Sequence, residues 1–133
     1  MKKIITSGKR KTAIARAVIE DGSGKITINN KNYKNLQFFD NLKIEEPLRI
    51  TEKILGKLDF DVKIGVKGGG EKSQIDAARI ALAKAIVEFS KSKEIKDAFL
   101  AYDRNLLVAD VRRKEAYKPG DSKARRKRQK SYR

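Results

Sequence analysis

The residues of this chain that could bind a ligand are mostly cations, and they are densest at its C-terminal end. Residues 112–133 read RRKEAYKPGDSKARRKRQKSYR and hold eleven lysines and arginines against two acidic residues. Arginine can fork two N–H donors onto one phosphate, and the rings of Tyr117 and Tyr132 can stack on bases. After Val111 there is no aliphatic residue larger than alanine, so burial cannot offset an ordering entropy of about 1–2 kcal/mol per backbone residue. We expect a tail that is disordered alone and binds a polyanion.

A run of charges also has two simpler interpretations. It can be a solvating tail, or a nuclear address that a receptor reads. The density of arginine and the two tyrosines favour nucleic acid instead. RNA is favoured over DNA because the sequence shows no evident recognition helix for the major groove.

Charge is distributed unevenly along the 133 residues, whose net charge is +16. Residues 1–16 carry six basic groups and no acid, whereas residues 17–110 carry sixteen basic and fifteen acidic groups. A nearly neutral body with two cationic arms is typical of a protein that packs into folded RNA. The chain length suits one small domain, residues 1–111, followed by an extended basic tail, residues 112–133.

Composition excludes several kinds of site. The chain has no cysteine and no histidine, so it lacks a disulfide framework, a thiol nucleophile, a zinc knuckle and the usual base of a catalytic triad. No apolar run approaches the roughly 18 residues that cross a bilayer, and the N-terminus has no apolar region of signal-peptide length. We expect a soluble, intracellular chain that needs no cofactor, metal or small-molecule substrate.

One glycine-rich stretch is close to a nucleotide-binding motif. Gly65, Gly70, Lys72 and Ser73 nearly match a P-loop, but that motif requires contiguous Gly-Lys-Ser/Thr, and Glu71 separates the glycine from the lysine. The insertion shifts the lysine and places a carboxylate where phosphates would bind, so we do not expect an NTP site. The amides at the start of the following helix still suit an RNA phosphate.

Three further charged residues are candidates for chemistry. Arg79 lies in an alanine-rich run, where a solvated helix residue and an RNA ligand are both open interpretations. Asp59 and Asp61 share a strand face and resemble a catalytic or metal-binding pair. Their alternation with lysines favours an exposed strand face, since two carboxylates without a third ligand make a weak metal site.

Periodicity and turn residues indicate the elements that position these groups. In the first third we expect a short strand over 3–7, a cationic loop over 7–12 and a strand over 12–20. Asp21 to Gly24 carries a hairpin signal, after which residues 25–29 return as a strand.

The remainder of the chain is predicted to contain three helices and two strands. Residues 58–67 alternate apolar and polar side chains and predict a strand with one buried face. Residues 73–89 predict a helix with an apolar stripe, with Ser73 and Asp76 spaced as a capping pair. We also expect a helix that opens at Pro47 and closes at Gly56, a helix from Ser92 to Leu100, and a strand from Leu106 to Val111. This order predicts an α+β fold, a two-layer sandwich of one mixed sheet with helices on one face.

Three segments, in order along the chain, carry a family resemblance. They are residues 7–17, SGKRKTAIARA; Gly68-Gly69-Gly70 followed by Gln74 and residues 77–85; and Asp110 followed by Arg112-Arg113. Together they resemble the universal small-subunit ribosomal protein nine over the whole chain. The ending Gln129 to Arg133, QKSYR, is similar to the archaeal and eukaryotic form of that family.

The resemblance implies a β3-α-β-α fold with a left-handed crossover, where the general rule would favour a right-handed one. It implies a structural, non-enzymatic component of the small ribosomal subunit. The body would dock on ribosomal RNA of the subunit head, beside neighbouring ribosomal proteins. The tail would thread inward through that RNA.

The implied contacts fall in two sets. The expected rRNA-binding residues are Lys9, Arg10, Lys11, Thr12, Arg16, Gly68, Gly69, Gly70, Arg79, Arg112, Arg113, Lys114, Lys118, Lys123, Arg125, Arg126, Lys127 and Arg128. The tail tip, which would contact the anticodon stem-loop of the peptidyl-site tRNA, is Lys130, Ser131, Tyr132 and Arg133.

Two other functions stay open at this point. A free-standing, nonspecific nucleic-acid-binding protein would share the charge, but would bind generic duplex about as well as rRNA. An NTP-dependent enzyme would need the near-P-loop to work. Binding to a membrane surface through the tail is disfavoured, because the tail lacks the apolar face that such helices need.

Overall fold

The computed structural model describes residues 3–108. The predicted tail, residues 112–133, and positions 109–111 of the predicted last strand lie outside the described residues.

Within residues 3–108 the chain forms one five-stranded sheet and three α-helices. The strands are β1 (Lys3–Arg10), β2 (Ala13–Asp21), β3 (Ile26–Ile28), β4 (Lys31–Asn32) and β5 (Phe60–Lys67), and the helices are α1 (Phe38–Leu55), α2 (Glu71–Ser90) and α3 (Lys93–Tyr102). Short 3₁₀ turns occupy Tyr33–Asn35 and Arg104–Leu106. The strand order is β1-β2-β5-β3-β4, with β3 and β5 parallel and the other pairs antiparallel. The predicted α+β class with one mixed sheet is confirmed; the hand of the crossover from β3 to β5 stays a prediction.

The helices cover one face of the sheet. Side chains alternate between buried and exposed along β1, β2 and β5, as the period of a strand requires. Helix α2 packs across all three of these strands, and α1 and α3 pack against α2 and each other. The opposite face stays exposed in the described part of the chain, where Ile5 is 67% and Ile14 43% accessible. We call it the open face.

Helix α2 approaches the sheet very closely. The small-residue stripe of this helix, Ala77, Ala81 and Ala85, is buried, and the facing side chains of β2 are also small. A Cβ atom added to Gly8 would lie 2.6 Å from the amide nitrogen of Ala81, so glycine is the residue that this spacing admits. Beside it, the buried hydroxyl of Thr6 donates to the Ala81 carbonyl at 2.9 Å. Strand β1 and helix α2 are therefore in backbone contact, which explains the alanines of residues 77–85.

The predicted hairpin between β2 and β3 is wrong, because β5 lies between these strands and pairs with both. The glycine-rich connection instead wraps around the carboxylate of Asp61. The backbone amides of Ser23, Gly24 and Lys25 donate to its Oδ1 at 3.0, 3.2 and 2.9 Å. These donors, that of Lys25 foremost, lower the pKa of Asp61 below its ordinary value.

The helix predicted to open at Pro47 begins nine residues earlier, at Phe38, so Pro47 lies inside α1. Proline lacks the N–H that an interior helical position donates, a loss that usually breaks a helix. Here Pro47 is buried, and Thr51 Oγ1 donates to its carbonyl at 2.8 Å. Packing on α2 therefore overrides the local signal, while the predicted end at Gly56 is confirmed.

Three other predicted boundaries also differ from the structure. Ser7 to Arg10 continue β1, so the cationic loop shrinks to the turn Lys11-Thr12. Helix α2 begins at Glu71 with Gly70 as its N-cap, which places Ser73 inside the helix and removes its capping role. Leu106 lies in a 3₁₀ turn and not in a strand. The strand β5 and the Ser92 cap of α3 agree with prediction.

We predict that Gly8→Ala lowers the free energy of unfolding by about 1–3 kcal/mol, because the new methyl group forces β1 away from α2. The matched control is Gly65→Ala on β5, where an added Cβ meets no described atom within 4 Å. That variant should be neutral, or more stable by about 0.4–1 kcal/mol. Urea denaturation of both variants measures the difference, and equal stabilities would show that the helix can yield at Gly8.

A candidate nucleic-acid interface

Two of the predicted RNA-binding motifs meet at one end of the sheet. The turn at Lys11-Thr12, with Lys11 at φ +54°, joins β1 to β2, and the triple glycine joins β5 to α2. Gly68 and Gly69 have φ of +78° and +68°, and a Cβ at Gly68 would lie 2.7 Å from the Thr12 carbonyl oxygen. Glycine is thus needed at position 68 because the backbone φ is positive and because a Cβ atom would clash with the Thr12 carbonyl. We call residues 9–12, which are the end of β1 and the turn, together with the glycine loop, residues 68–70, the basic end.

The start of α2 belongs to the basic end. Within the described residues no side chain caps this helix at Gly70, so the amides of its first turn lack a side-chain acceptor. Such amides, with the positive end of the helix dipole, suit an anion. Gln74 braces the loop by donating from Nε2 to the Gly68 carbonyl at 3.1 Å. The loop therefore presents backbone donors in a fixed position.

The lysine of the near-P-loop forms an ion pair with another residue of the protein. Lys72 Nζ lies 3.0 Å from Oδ1 of Asp40, a carboxylate that is 1% exposed in the first turn of α1. A P-loop lysine must reach the phosphates of its nucleotide. Because this ammonium is directed at α1, the geometry gives no support to an NTP site.

Lys72 belongs to a row of ion pairs that joins α1 to α2. The pairs Asp40–Lys72 and Lys43–Asp76 measure 3.0 and 3.2 Å, and Glu46 contacts Arg79. They occur in the same order along both helices, which therefore run in the same direction. The three α1 residues are spaced three apart, so they share one face of the helix. We call these six residues the ion-pair row.

Arg79 has a structural position. Its side chain is 14% exposed, and besides Glu46 it reaches Asp103 after α3, with Nη1 3.4 Å from Oδ2. One guanidinium thus ties α2 to α1 and to the end of α3. This geometry favours an intramolecular role for Arg79 over the predicted contact with RNA.

The other predicted cations divide into two groups. Arg10 is 18% exposed, and its Nε lies 3.7 Å from Asp76 Oδ2, so it is partly engaged within the protein. Lys9, Lys11 and Arg16 are exposed and form no ion pair with any residue of the described range. Lys9 and Arg16 lie on the open face. Of the predicted cations in the described range, those without an ion pair therefore lie at the basic end and on the open face beside it.

Sequence reasoning missed four residues of this region. Lys63 and Lys67 of β5 add two exposed cations to the open face. Phe38 and Phe39 begin α1, are each 71% exposed and form an edge-to-face pair with ring centroids 5.4 Å apart. Strand alternation placed the two lysines on an exposed strand face, but it did not mark them as binding residues. The exposure of the phenylalanines had no signal, because the start of α1 was not predicted.

The acidic residues of β5 and its approach have structural roles. Asp61 is held by backbone amides, and exposed Asp59 lies 3.9 Å from Lys57 Nζ. Among residues 3–108 there is no group of three or more acidic residues, histidines or cysteines placed to hold a metal ion. No helix in that range is both long enough and apolar enough to cross a membrane.

Comparison with known proteins finds similarity to one family of ribosomal proteins. The model of the family described as ribosomal protein S9/S16 matches residues 8–133. The chain is 52% identical to the small ribosomal subunit protein uS9 of Methanococcus vannielii, over 136 aligned positions that cover all of both chains. It is 52% identical to the protein of the same name from Methanococcus maripaludis strain C5, again over both full lengths.

We predict that Arg79→Ala lowers the free energy of unfolding by about 2 kcal/mol, between the values typical of exposed and buried ion pairs. The control is Arg49→Ala, which removes an exposed pair with Glu45, 2.8 Å long and one helical turn away, and should cost less than about 0.5 kcal/mol. Urea denaturation measures both. Unchanged stability of Arg79→Ala together with weaker RNA binding would assign Arg79 to the RNA interface instead.

Proposed function

This chain belongs to the ribosomal protein S9/S16 family, and on that premise we propose that it is a structural constituent of the small ribosomal subunit that binds ribosomal RNA of the subunit head. The family match along residues 8–133 is the observation that carries the proposal. The family consists of ribosomal proteins, so the chain is a structural component and not an enzyme. Its place of action is the ribosome in the cytoplasm, among neighbouring ribosomal proteins.

The charge pattern supports an RNA-binding role. The exposed, unpaired cations of the described range include Lys9, Lys11 and Arg16, which lie at or next to the basic end. Backbone amides of the glycine loop and of the first turn of α2 add neutral donors. Contacts of this kind fix a protein on a phosphate backbone without reading base sequence. We assign the docking of the body to the basic end.

The mechanism is electrostatic. Ribosomal RNA helices that lie side by side repel each other, and a protein with cations on several surfaces can bridge them. Each phosphate contact releases condensed counterions, so the affinity should fall steeply as salt is raised. The tail, with eleven lysines and arginines, supplies most of these contacts in the proposal.

We further propose that the tail tip, Lys130 to Arg133, contacts the peptidyl-site tRNA. The fifteen residues from Pro119 to the C-terminus span at most about 50 Å when fully extended. Pro119-Gly120 is a turn or joint signal that would let the segment change direction. Residues 123–128 form the shaft that ribosomal RNA would enclose, and Arg133 can fork two donors onto one phosphate.

We predict that full-length protein stays with small subunits during sedimentation of cell extract through a high-salt sucrose gradient. A chain truncated after Asp110 should be weakly retained or lost, because it lacks the cations of the tail. Immunodetection across the gradient measures both. Recovery of both forms at the top of the gradient would contradict the proposed function and favour a free-standing, nonspecific nucleic-acid-binding protein.

Deletion of residues 130–133 tests the tip separately. We expect assembly into small subunits to be unchanged, since the shaft and the body remain, and retention of peptidyl-site tRNA to weaken several-fold. Filter binding of labelled tRNA to purified subunits measures retention. Retention equal to that of the full-length protein would remove the tip from the proposal.

A further inference from the structure

The open face contains a hollow over β2 and β5, near the end of the sheet that carries the glycine loop. Its volume is about 320 Å³, and it is lined by Ile14 and Arg16 of β2, Gly65, Val66 and Lys67 of β5, and Asn29 after β3. The register places Arg16 opposite Gly65 and Ile14 opposite Lys67. The floor of the hollow is therefore the backbone at Gly65, with Ile14 at one side and two cations at the rim.

Gly65 has no explanation inside the protein. Glycine weakens a strand interior, and where it occurs it commonly marks a bulge, a bend or a place where a ligand comes close. Strand β5 pairs with β2 in unbroken register through Gly65, so this ladder has no bulge there, and its pairing with β3 ends one residue earlier, at Ile64. No described atom lies within 4 Å of a Cβ built there, and its φ is not positive. The space that glycine leaves is thus available to a molecule from outside.

The groups around the hollow favour a nucleotide. Arg16 and Lys67 form no ion pair with other residues of the range 3–108, so their charge is available to a phosphate. Ile14 is 43% exposed and offers an apolar surface to the face of a base. An arginine guanidinium also stacks on unpaired bases. The cationic tail of this chain is a poor occupant, because its charge has the same sign as the rim.

Asn29 provides a fixed hydrogen-bond donor. Its φ is +50°, its backbone amide donates to the Ile64 carbonyl at 2.8 Å, and its side-chain Oδ1 accepts from the Val66 amide at 2.9 Å. The carbonyl oxygen of the side chain is thus occupied. The side-chain amide nitrogen donates to no group within the described residues, so it can donate to the edge of a base.

We propose that this hollow is a seat for one unpaired nucleotide of RNA. The base lies over Gly65 against Ile14 and Arg16, Asn29 donates to its edge, and Lys67 and Arg16 bind the flanking phosphates. The inference rests on the proposed RNA-binding function and adds to it a contact that needs a base as well as phosphates. A seat of this kind selects single-stranded positions, since bases within a duplex cannot enter it.

The test is an amide NMR titration of the full-length, isotope-labelled chain with two short RNAs. The probes are an adenosine tetranucleotide and a ribose-phosphate tetramer of equal length without bases. We expect the tetranucleotide to shift the amides of Gly65 and Asn29, which line the place of the base, and the abasic tetramer to leave these two amides unchanged. Equal shifts from both probes would show a site for anions only and would overturn the proposal.

Two variants locate the base. Gly65→Val fills the hollow without a change of charge and should weaken tetranucleotide binding at these amides roughly five- to tenfold, as expected for loss of one stacked base. The control is Ser7→Val, which adds the same side chain on the other side of Arg16 in the same cross-strand row. The Ser7→Val variant should bind the tetranucleotide as tightly as the unaltered chain does. A Gly65→Val variant that also binds it that tightly would overturn the proposed seat.

The two proposals fail in different ways. If neither probe shifts amides of residues 9–12, 68–70 or the tail, the RNA-binding function itself fails. If those amides shift while the amides of Gly65 and Asn29 do not, the nucleotide seat alone is overturned. The same result is expected if the hollow binds a protein segment and not RNA.

Discussion

The fold depends on the backbone contact between β1 and α2. At Gly8 the strand and the helix are so close that a methyl group would meet the amide of Ala81, and Thr6 bonds the carbonyl of that same residue. Small residues on both sides of the contact let α2 lie across β1, β2 and β5 together. This placement fixes the start of α2, and with it the glycine loop that packs on the turn between β1 and β2. The position of the basic end follows from the contact at Gly8.

The charged residues perform two different tasks. Lys72 and Arg79 belong to the ion-pair row that joins α1 to α2, while Lys9, Lys11 and Arg16 form no ion pair with any residue of the described range. In the sequence all five residues are simply cations. We therefore expect fold stability and the proposed RNA binding to respond to different substitutions, which lets experiments separate the two.

Periodic segments could be predicted from the sequence, and pairings could not. The alternation of β5 and the small-residue stripe of α2 are local patterns, and both elements appeared where expected. The hairpin after β2 was wrong because β5, more than thirty residues later, enters between β2 and β3. The helix start predicted at Pro47 was wrong because contacts with α2 stabilise a helix that continues through the proline. Among site residues, residues 9–12 lie beside the glycine loop at one end of the sheet, which no local pattern displays. The partners of Arg79 likewise depend on tertiary contacts that a single sequence does not display.

The sheet order also determines when the protein can fold during synthesis. Strands β1 and β2 are adjacent in the chain and can pair as soon as both have left the ribosome that makes them. Strand β3 has no partner in the main sheet until β5 arrives, because β5 is central in space although it is the last of the described strands in sequence. Until about residue 67 is available, the inner edge of β2 exposes unpaired backbone groups, a state that favours wrong pairing with other chains. The nascent chain is therefore most exposed to aggregation before its second half is complete, and the polycationic tail is the last part to appear.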